Sequence, residues 1–317
     1  MTPSIIPVPL DRPTFLKAPR CEDLESLEAD VAFVAMPYTV PYDLAWSRQP
    51  SSLAPAALRE QSIKLADRLG HYDFEFGGEL FAGRAVTMVD CGDVFEQPGQ
   101  YEENSRVATA VLKKILERGA LPIILGGDHA TTIPMMRAYE GRGPICAVHL
   151  DAHLDWRDEV NGVHDGLSSP MRRASELPWV TSMIQIGLRG IGSARQREVD
   201  DAAAFGSVRV RAEELHERGV AAILERVPAA ENYYISLDTD VMDPATAPGI
   251  NALAFGGISY FQATNILQGI AAKGRVVGFD LVEIAPGKDV MDLTSQLGVR
   301  LILNLLGALA HNGQIGR

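Results

Sequence analysis

The sequence predicts a single three-layer αβα domain built around a mainly parallel sheet. Two observations carry that expectation. Short, near-continuous apolar runs alternate with longer amphipathic ones along all 317 residues, the order expected when helices cover both faces of a parallel sheet. No internal repeat, low-complexity segment or Ser/Gly-rich linker interrupts the alternation.

Residues 1–30 are irregular and read as an N-terminal extension, leaving 31–317 as the domain. Candidate strands are 31–36, 85–89, 122–125, 145–150, 183–187, 233–237 and 276–279, each apolar throughout because both faces would be covered. Residues 104–118 read as an amphipathic helix with Val107, Val111, Leu112 and Ile115 on one side. Residues 213–225 and 261–272 look similar, and 293–310 is long and apolar enough for a largely buried terminal helix. The irregular stretches 39–54, 156–170 and 243–257 each directly follow a strand. In open α/β sheets the ligand lies beyond the carboxyl ends of the strands, so these three are candidate walls of a site.

Composition narrows the function classes. The chain is 46% hydrophobic and 22% charged, ordinary for a globular protein. Its net charge of −12 argues against a nucleic-acid or anionic-membrane partner and suits a cationic substrate. Cys21, Cys91 and Cys146 are an odd set at irregular spacing, which reads as reduced thiols and not as a disulfide framework or a thiolate metal site. The start, MTPSIIPVPLDRPTF, has prolines and charges where a signal peptide needs a basic start and an apolar run. No apolar stretch approaches the roughly 20 residues of a membrane span. A soluble cytoplasmic protein is expected.

Three clusters carry chemistry, each at or just after a candidate strand end: Gly126-Gly127-Asp128-His129, His149-Leu150-Asp151-Ala152-His153-Leu154-Asp155, and Asp238-Thr239-Asp240 followed by Asp243-Pro244. In extended chain, residues two apart point the same way, which would put Asp151, His153 and Asp155 on one face, and Asp238 and Asp240 likewise. Such a convergence of acids and imidazoles would repel strongly without a cation. His plus carboxylate without Cys suits Mn²⁺, Ni²⁺ or a similar ion better than a structural zinc. The donors outnumber what one ion usually takes and suit two ions sharing bridging carboxylates.

Gly-Gly-Asp-His, Asp-Ala-His-x-Asp and Ser-x-Asp-x-Asp-x-x-Asp-Pro, in this order, resemble the three metal signatures of the ureohydrolases, the arginase–agmatinase family. The resemblance runs from about Val31 to the terminal helix. It implies a single αβα domain and two divalent ions, Mn²⁺ or Ni²⁺. One would be held by His129, Asp151, Asp155 and Asp238, the other by Asp151, His153, Asp238 and Asp240. It further implies that His164 resembles the family's proton-shuttling histidine, although this chain reads His-Asp-Gly where His-Gly is more usual. Glu283 resembles the glutamate that pairs with the substrate's guanidinium. A buried unpaired carboxylate would cost several kcal/mol, roughly, so an acid at an apolar strand end calls for a partner.

The implied reaction is hydrolysis of a guanidino C–N bond, releasing urea or a urea-like product and an amine. Two metals about 3.5–4 Å apart lower the pKa of a water between them. Glu283 would orient the planar cation, His164 would protonate the departing nitrogen, Asp240 is placed to accept a proton, and Asp128 could orient His129. The family also usually has a Gly/Arg-rich loop after the first strand and a Gly-rich loop after the Asp-Pro. Here these contain Tyr38, Tyr42 and Trp46, and Asn251 and Phe255. Aromatic faces can hold an alkylated cation, which directs the expectation to a small or N-alkylated guanidine or biguanide such as metformin. Agmatinase or guanidino-acid hydrolase (guanidinobutyrase-type) activity stands beside it. A homo-oligomer, trimer or hexamer, alone or with a paralogous subunit, is implied by the resemblance. Metal-dependent deacetylases share a related fold but use one zinc and a different His arrangement. A non-catalytic or partner-dependent subunit is the rival of another class, though no ligand position is missing.

Overall fold

The computed structural model describes residues 4–40, 42, 50–97 and 99–317. Along the chain these form β1 (Ile5–Ile6), β2 (Val31–Met36), α1 (Ala54–Ala66), β3 (Tyr72–Asp73), β4 (Gly78–Glu79), β5 (Met88–Val94) and α2 (Tyr101–Glu117). Next come β6 (Leu121–Gly126), α3 (Thr132–Arg137), β7 (Ile145–Leu150), α4 (Pro170–Ser175), β8 (Val180–Leu188), α5 (Gln196–Phe205) and β9 (Val208–Arg211). The chain ends with α6 (Ala212–Arg226), β10 (Asn232–Asp238), α7 (Tyr260–Lys273), β11 (Arg275–Val282) and α8 (Leu293–His311).

Nine strands form one sheet in the order β1-β5-β2-β6-β11-β10-β7-β8-β9, and β3 pairs with β4 apart from it. Every pair in the large sheet is parallel except the edge pair β1–β5. The apolar runs alternate faces as a pleat requires. Val31, Phe33 and Ala35 of β2 join Cys146, Val148 and Leu150 of β7 in one core, under α1, α7 and α8. Ala32, Val34 and Met36 join Ile145 and Ala147 in the other, under α2 and α3. Burial on both sides explains why strands β2, β6, β7 and β10 lack any exposed position. The three-layer αβα expectation therefore holds.

The one strand displaced from its expected place is β5, read at 85–89 and found at Met88–Val94. Its middle is polar, and Asp90 is buried because Arg59 of α1 reaches it with two hydrogen bonds of 2.9 Å. An apolar-run criterion stops where a buried ion pair begins. The expectation that no apolar stretch approaches membrane length is corrected by α8, the one described helix that could by length and composition cross a membrane; 78% of its most apolar window is buried inside the protein.

The central four strands, β6-β11-β10-β7, end level with one another: Leu125 pairs with Leu281, Asp238 with Val282, and Leu237 with Leu150. All three motif clusters and Glu283 leave the sheet at this common edge.

Candidate metal centre

His129 follows β6 on a tight turn that only a glycine pair permits. A Cβ on Gly127 would lie 2.2 Å from the Tyr38 carbonyl oxygen, and one on Gly126 would lie 2.8 Å from that of Leu281. The Asp128 carboxylate then accepts from the amides of Ala130 (3.1 Å) and Val40 (2.7 Å), tying the turn to the loop after β2. Asp128 thus fixes the backbone at His129, while the ring is aimed from elsewhere. Ser236 Oγ donates to Asp280 (2.7 Å), so at 2.9 Å from His129 Nε2 it is the acceptor. Asp280 is in turn held by Thr132 (3.1 Å) and Tyr234 (2.5 Å). This chain leaves the proton of His129 on Nε2 and its Nδ1 lone pair aimed into the cluster.

Around that lone pair stand Asp155 Oδ2 at 2.9 Å, Asp151 Oδ2 at 3.1 Å and Asp238 Oδ2 at 3.1 Å. Next to them, His153 Nδ1 lies 2.9 Å from Asp240 Oδ2 and 3.4 Å from Asp151 Oδ1. The two oxygens of Asp151 therefore face two neighbouring groups of donors. The ligand atoms of Asp151, His153 and Asp240 lie within 4.8 Å of one another, as do those of His129, His149, Asp151 and Asp155. The structure brings together His129, Asp151, His153, Asp155, Asp238 and Asp240.

Strand alternation is not what gathers them. β7 ends at Leu150, and Asp155 has φ 49°, a left-handed conformation costing a non-glycine about 1–3 kcal/mol. It is held there by the amides of Met171 and Arg172, which donate to its carbonyl at 3.1 and 3.2 Å. His153 N donates to Asp151 Oδ1 (2.5 Å), curling the segment. Asp240 sits in a short 3₁₀ turn; its amide donates to Asp238 Oδ1 (2.8 Å) and its Oδ1 accepts from Ala152 N (3.0 Å). The extended-chain expectation is corrected: turns, not a pleat, aim the carboxylates.

The charges demand a cation. Burial opposes protonation of His129, yet Asp151, Asp155 and Asp238 hold its ring well above the usual imidazole range. Burial likewise opposes protonation of His153, but Asp151 and Asp240 push it up to about 12. Burial and then Asp151 raise Asp240 to about 6, and burial, Asp240 and Asp151 raise Asp238. Asp151 moves down despite burial, because His149, His129 and His153 surround it. Protons stand in for metal charge in this arrangement. His129 Nδ1 and Asp151 Oδ2 are buried without an aligned hydrogen-bond partner, as ligand lone pairs are before a metal takes them. The three cysteines are free and take no part in this donor set, so its chemistry fits hard or borderline divalent ions.

Glu283 follows β11 with φ 65°. Its Oε1 accepts from His129 N (3.0 Å) and its Oε2 from Asn251 Nδ2 (3.3 Å), and burial raises it to about 7. The remaining expected residues stand farther out. Tyr38 is 4% exposed and its hydroxyl donates to the Tyr101 carbonyl (3.0 Å), so its ring packs the loop instead of presenting a face. Tyr42 packs on Gly166 and its hydroxyl accepts from Ser168 N (2.7 Å). Phe255 is 85% exposed, and Trp46 lies outside the described residues. His164 lies in the exposed loop, its Nδ1 3.1 Å from the Asp158 carbonyl, and the neighbouring Asp165 is clamped by Arg137 at 2.6 and 3.0 Å.

Sequence reasoning missed Ser236, Asp280, Gln185 and Arg189. A polar residue inside an apolar strand was the available signal for the first three. Arg189, after β8, bonds the carbonyls of Gly187, Asp240, Met242, Ala254 and Phe255 at 2.6–3.3 Å. It fastens the 251–257 loop to the metal turn and carried no local signal.

A family model described as the arginase family matches residues 30–307. A guanidinobutyrase of Pseudomonas aeruginosa is 31% identical over 304 residues, covering 93% of this chain and 92% of its own length. A mitochondrial agmatinase of Gallus gallus is 32% identical, covering 93% and 85%. The structure of proclavaminate amidino hydrolase from Streptomyces clavuligerus superposes with a TM-score of 0.81 at 28% identity, covering 95% of this chain and 97% of that one. The chain belongs to the arginase family and is a hydrolase of amidine C–N bonds.

Proposed function

We propose that this chain hydrolyses a guanidino C–N bond of a small or N-alkylated guanidine or biguanide, metformin included, releasing urea or a urea-like product and an amine. The observation that carries the reading is the Glu283 carboxylate set beside the metal cluster. Among the described residues at this edge, Arg189 has its guanidinium engaged by five backbone carbonyls and so offers no free cation to a substrate carboxylate.

Two divalent ions, Mn²⁺ or Ni²⁺, on His129, Asp151, Asp155, Asp238, His153 and Asp240 would supply Lewis acidity and a water of lowered pKa. Glu283 would take two N–H groups of the planar cation, its carboxylate already oriented by His129 N and Asn251. Asp240 is proposed to take a proton from the attacking water. His164 is proposed to deliver one to the leaving nitrogen, which requires its ring to leave the Asp158 carbonyl. Tyr42 and Phe255 border the site as candidate contacts for N-alkyl groups. Assembly as a homo-oligomer is part of the same proposal.

The likeness to a guanidinobutyrase and an agmatinase favours a second reading, hydrolysis of agmatine or a guanidino acid. Urea release by protein reconstituted with Mn²⁺ or Ni²⁺ separates the two, using agmatine, guanidinobutyrate, guanidine, dimethylguanidine and metformin. Turnover confined to the small or alkylated cations is the expected result. Efficient turnover of agmatine or guanidinobutyrate would establish the second reading, and no turnover with either ion would point to a partner-dependent chain.

A further inference from the structure

One buried imidazole at the cluster has no role so far. His149, the penultimate residue of β7, is fully buried, and its Nε2 lies 2.8 Å from Asp151 Oδ2. By distance alone it could be a further metal ligand, and it falls in the same donor group as His129 and Asp155. Whether Nε2 offers a lone pair or a proton is decided on the far side of the ring.

There, Gln185 of β8 sits directly across the sheet in register with His149. Its side-chain nitrogen is 2.7 Å from the Leu154 carbonyl and 3.1 Å from His149 Nδ1, while its oxygen is 2.9 Å from Ser207 Oγ. A carbonyl can only accept, so the amide cannot be flipped: its NH₂ must face Leu154 and, with its second hydrogen, His149 Nδ1. Nδ1 is then the acceptor, and the proton of the neutral ring is on Nε2. Nε2 and Asp151 Oδ2 stand 2.8 Å apart without an aligned hydrogen bond, and neither has another hydrogen-bond partner, so what joins them is the close approach of the Nε2–H dipole to the carboxylate.

We propose that His149 is a positioning residue whose tautomer is locked by Gln185 and Ser207, so that Nε2–H steers the carboxylate of Asp151 and does not bind an ion. Asp151 is the carboxylate whose two oxygens face both donor groups, so its orientation sets both at once. This rests on the two-metal reading above.

The test is a long-range ¹H–¹⁵N spectrum of histidine-labelled protein, metal-free and loaded with diamagnetic Zn²⁺, beside Mn²⁺ titration calorimetry. His149 should show the Nε2–H tautomer in both states, while His129 and His153 move on loading. Gln185→Leu should release the lock and bring in the Nδ1–H form. His149→Phe should keep two ions per chain but weaken them by about 10–100-fold, the usual effect of removing a partner one step behind a ligand, and His149→Gln should restore most of that. A His149 Nε2 that loses its proton to the ion, or His149→Phe binding one ion fewer, would make it a ligand and overturn the proposal. Unchanged affinity in His149→Phe would overturn it too. Failure of the metal reading looks different: wild type then takes up no ion, His129 and His153 stay still, and the His149 proposal goes with it.

Discussion

At the floor of the site each ionisable group is held from several sides; at the rim single contacts suffice. Asp240 is fixed through both carboxylate oxygens and its own amide, and His129 through its ring Nε2 and its backbone amide. His164, by contrast, is 58% exposed at its side chain and rests on one carbonyl and a 4.0 Å approach to Asp158. Phe255 is 85% exposed. The floor is built from the ends of four neighbouring strands and can hold charges in one geometry; the rim is loop, where residues change without disturbing the sheet. On the proposed reading, reaction type belongs to the floor and choice of substrate to the rim.

Substitutions should divide along that line. The largest effect is expected from Asp238→Asn, with activity down by more than about 100-fold, beyond the loss typical of groups one step behind a ligand, together with loss of bound ion in a metal assay. Glu283→Gln should lower kcat/KM by an amount equivalent to about 2–5 kcal/mol, as for a buried charge pair losing one member, with both ions retained. It should also stabilise the metal-free protein. Burial holds the Glu283 pKa at about 7 in the fold, so its folded form is favoured below the unfolded value of about 4.3 and becomes costly as pH rises through 7. The variant should therefore gain up to about 4 kcal/mol above pH 7 and little near pH 4, read by chemical denaturation at the two pH values.

Proton linkage is a subtler probe of the floor. His129 and His153 are both raised, His153 to about 12, and a metal takes only neutral imidazole. Ion binding should release protons, and affinity should weaken as pH falls from 8 to 6; calorimetry in buffers of different ionisation enthalpy measures this directly. The smallest effect is expected at the rim: Phe255→Ala should change KM by less than about 10-fold, an alkyl or cation–π contact being worth about 1 kcal/mol, with ion content untouched.

Much of the floor could be read from the sequence because Gly-Gly-Asp-His, Asp-x-His-x-Asp and Asp-x-Asp are contiguous, and the apolar runs ending in them are what a doubly covered parallel sheet requires. The reason given for their convergence was wrong in detail, since Asp155 at φ 49° and the 3₁₀ turn at Asp240 are not strand. What stayed hidden were partners supplied from other strands. Ser236, Asp280 and Gln185 act only through register across the sheet, and Arg189 acts through backbone carbonyls distant in sequence. Burial was equally hidden: Tyr38 looks like a substrate-facing aromatic in the sequence, but the fold spends its ring on packing.

The central claim is that two adjacent donor groups sharing Asp151 hold two ions. Metal content per chain after Mn²⁺ loading and desalting, for wild type and His153→Ala, tests it most directly. Two ions in the wild type and one in the variant is the predicted result. One ion in the wild type, or two retained without His153, would contradict it.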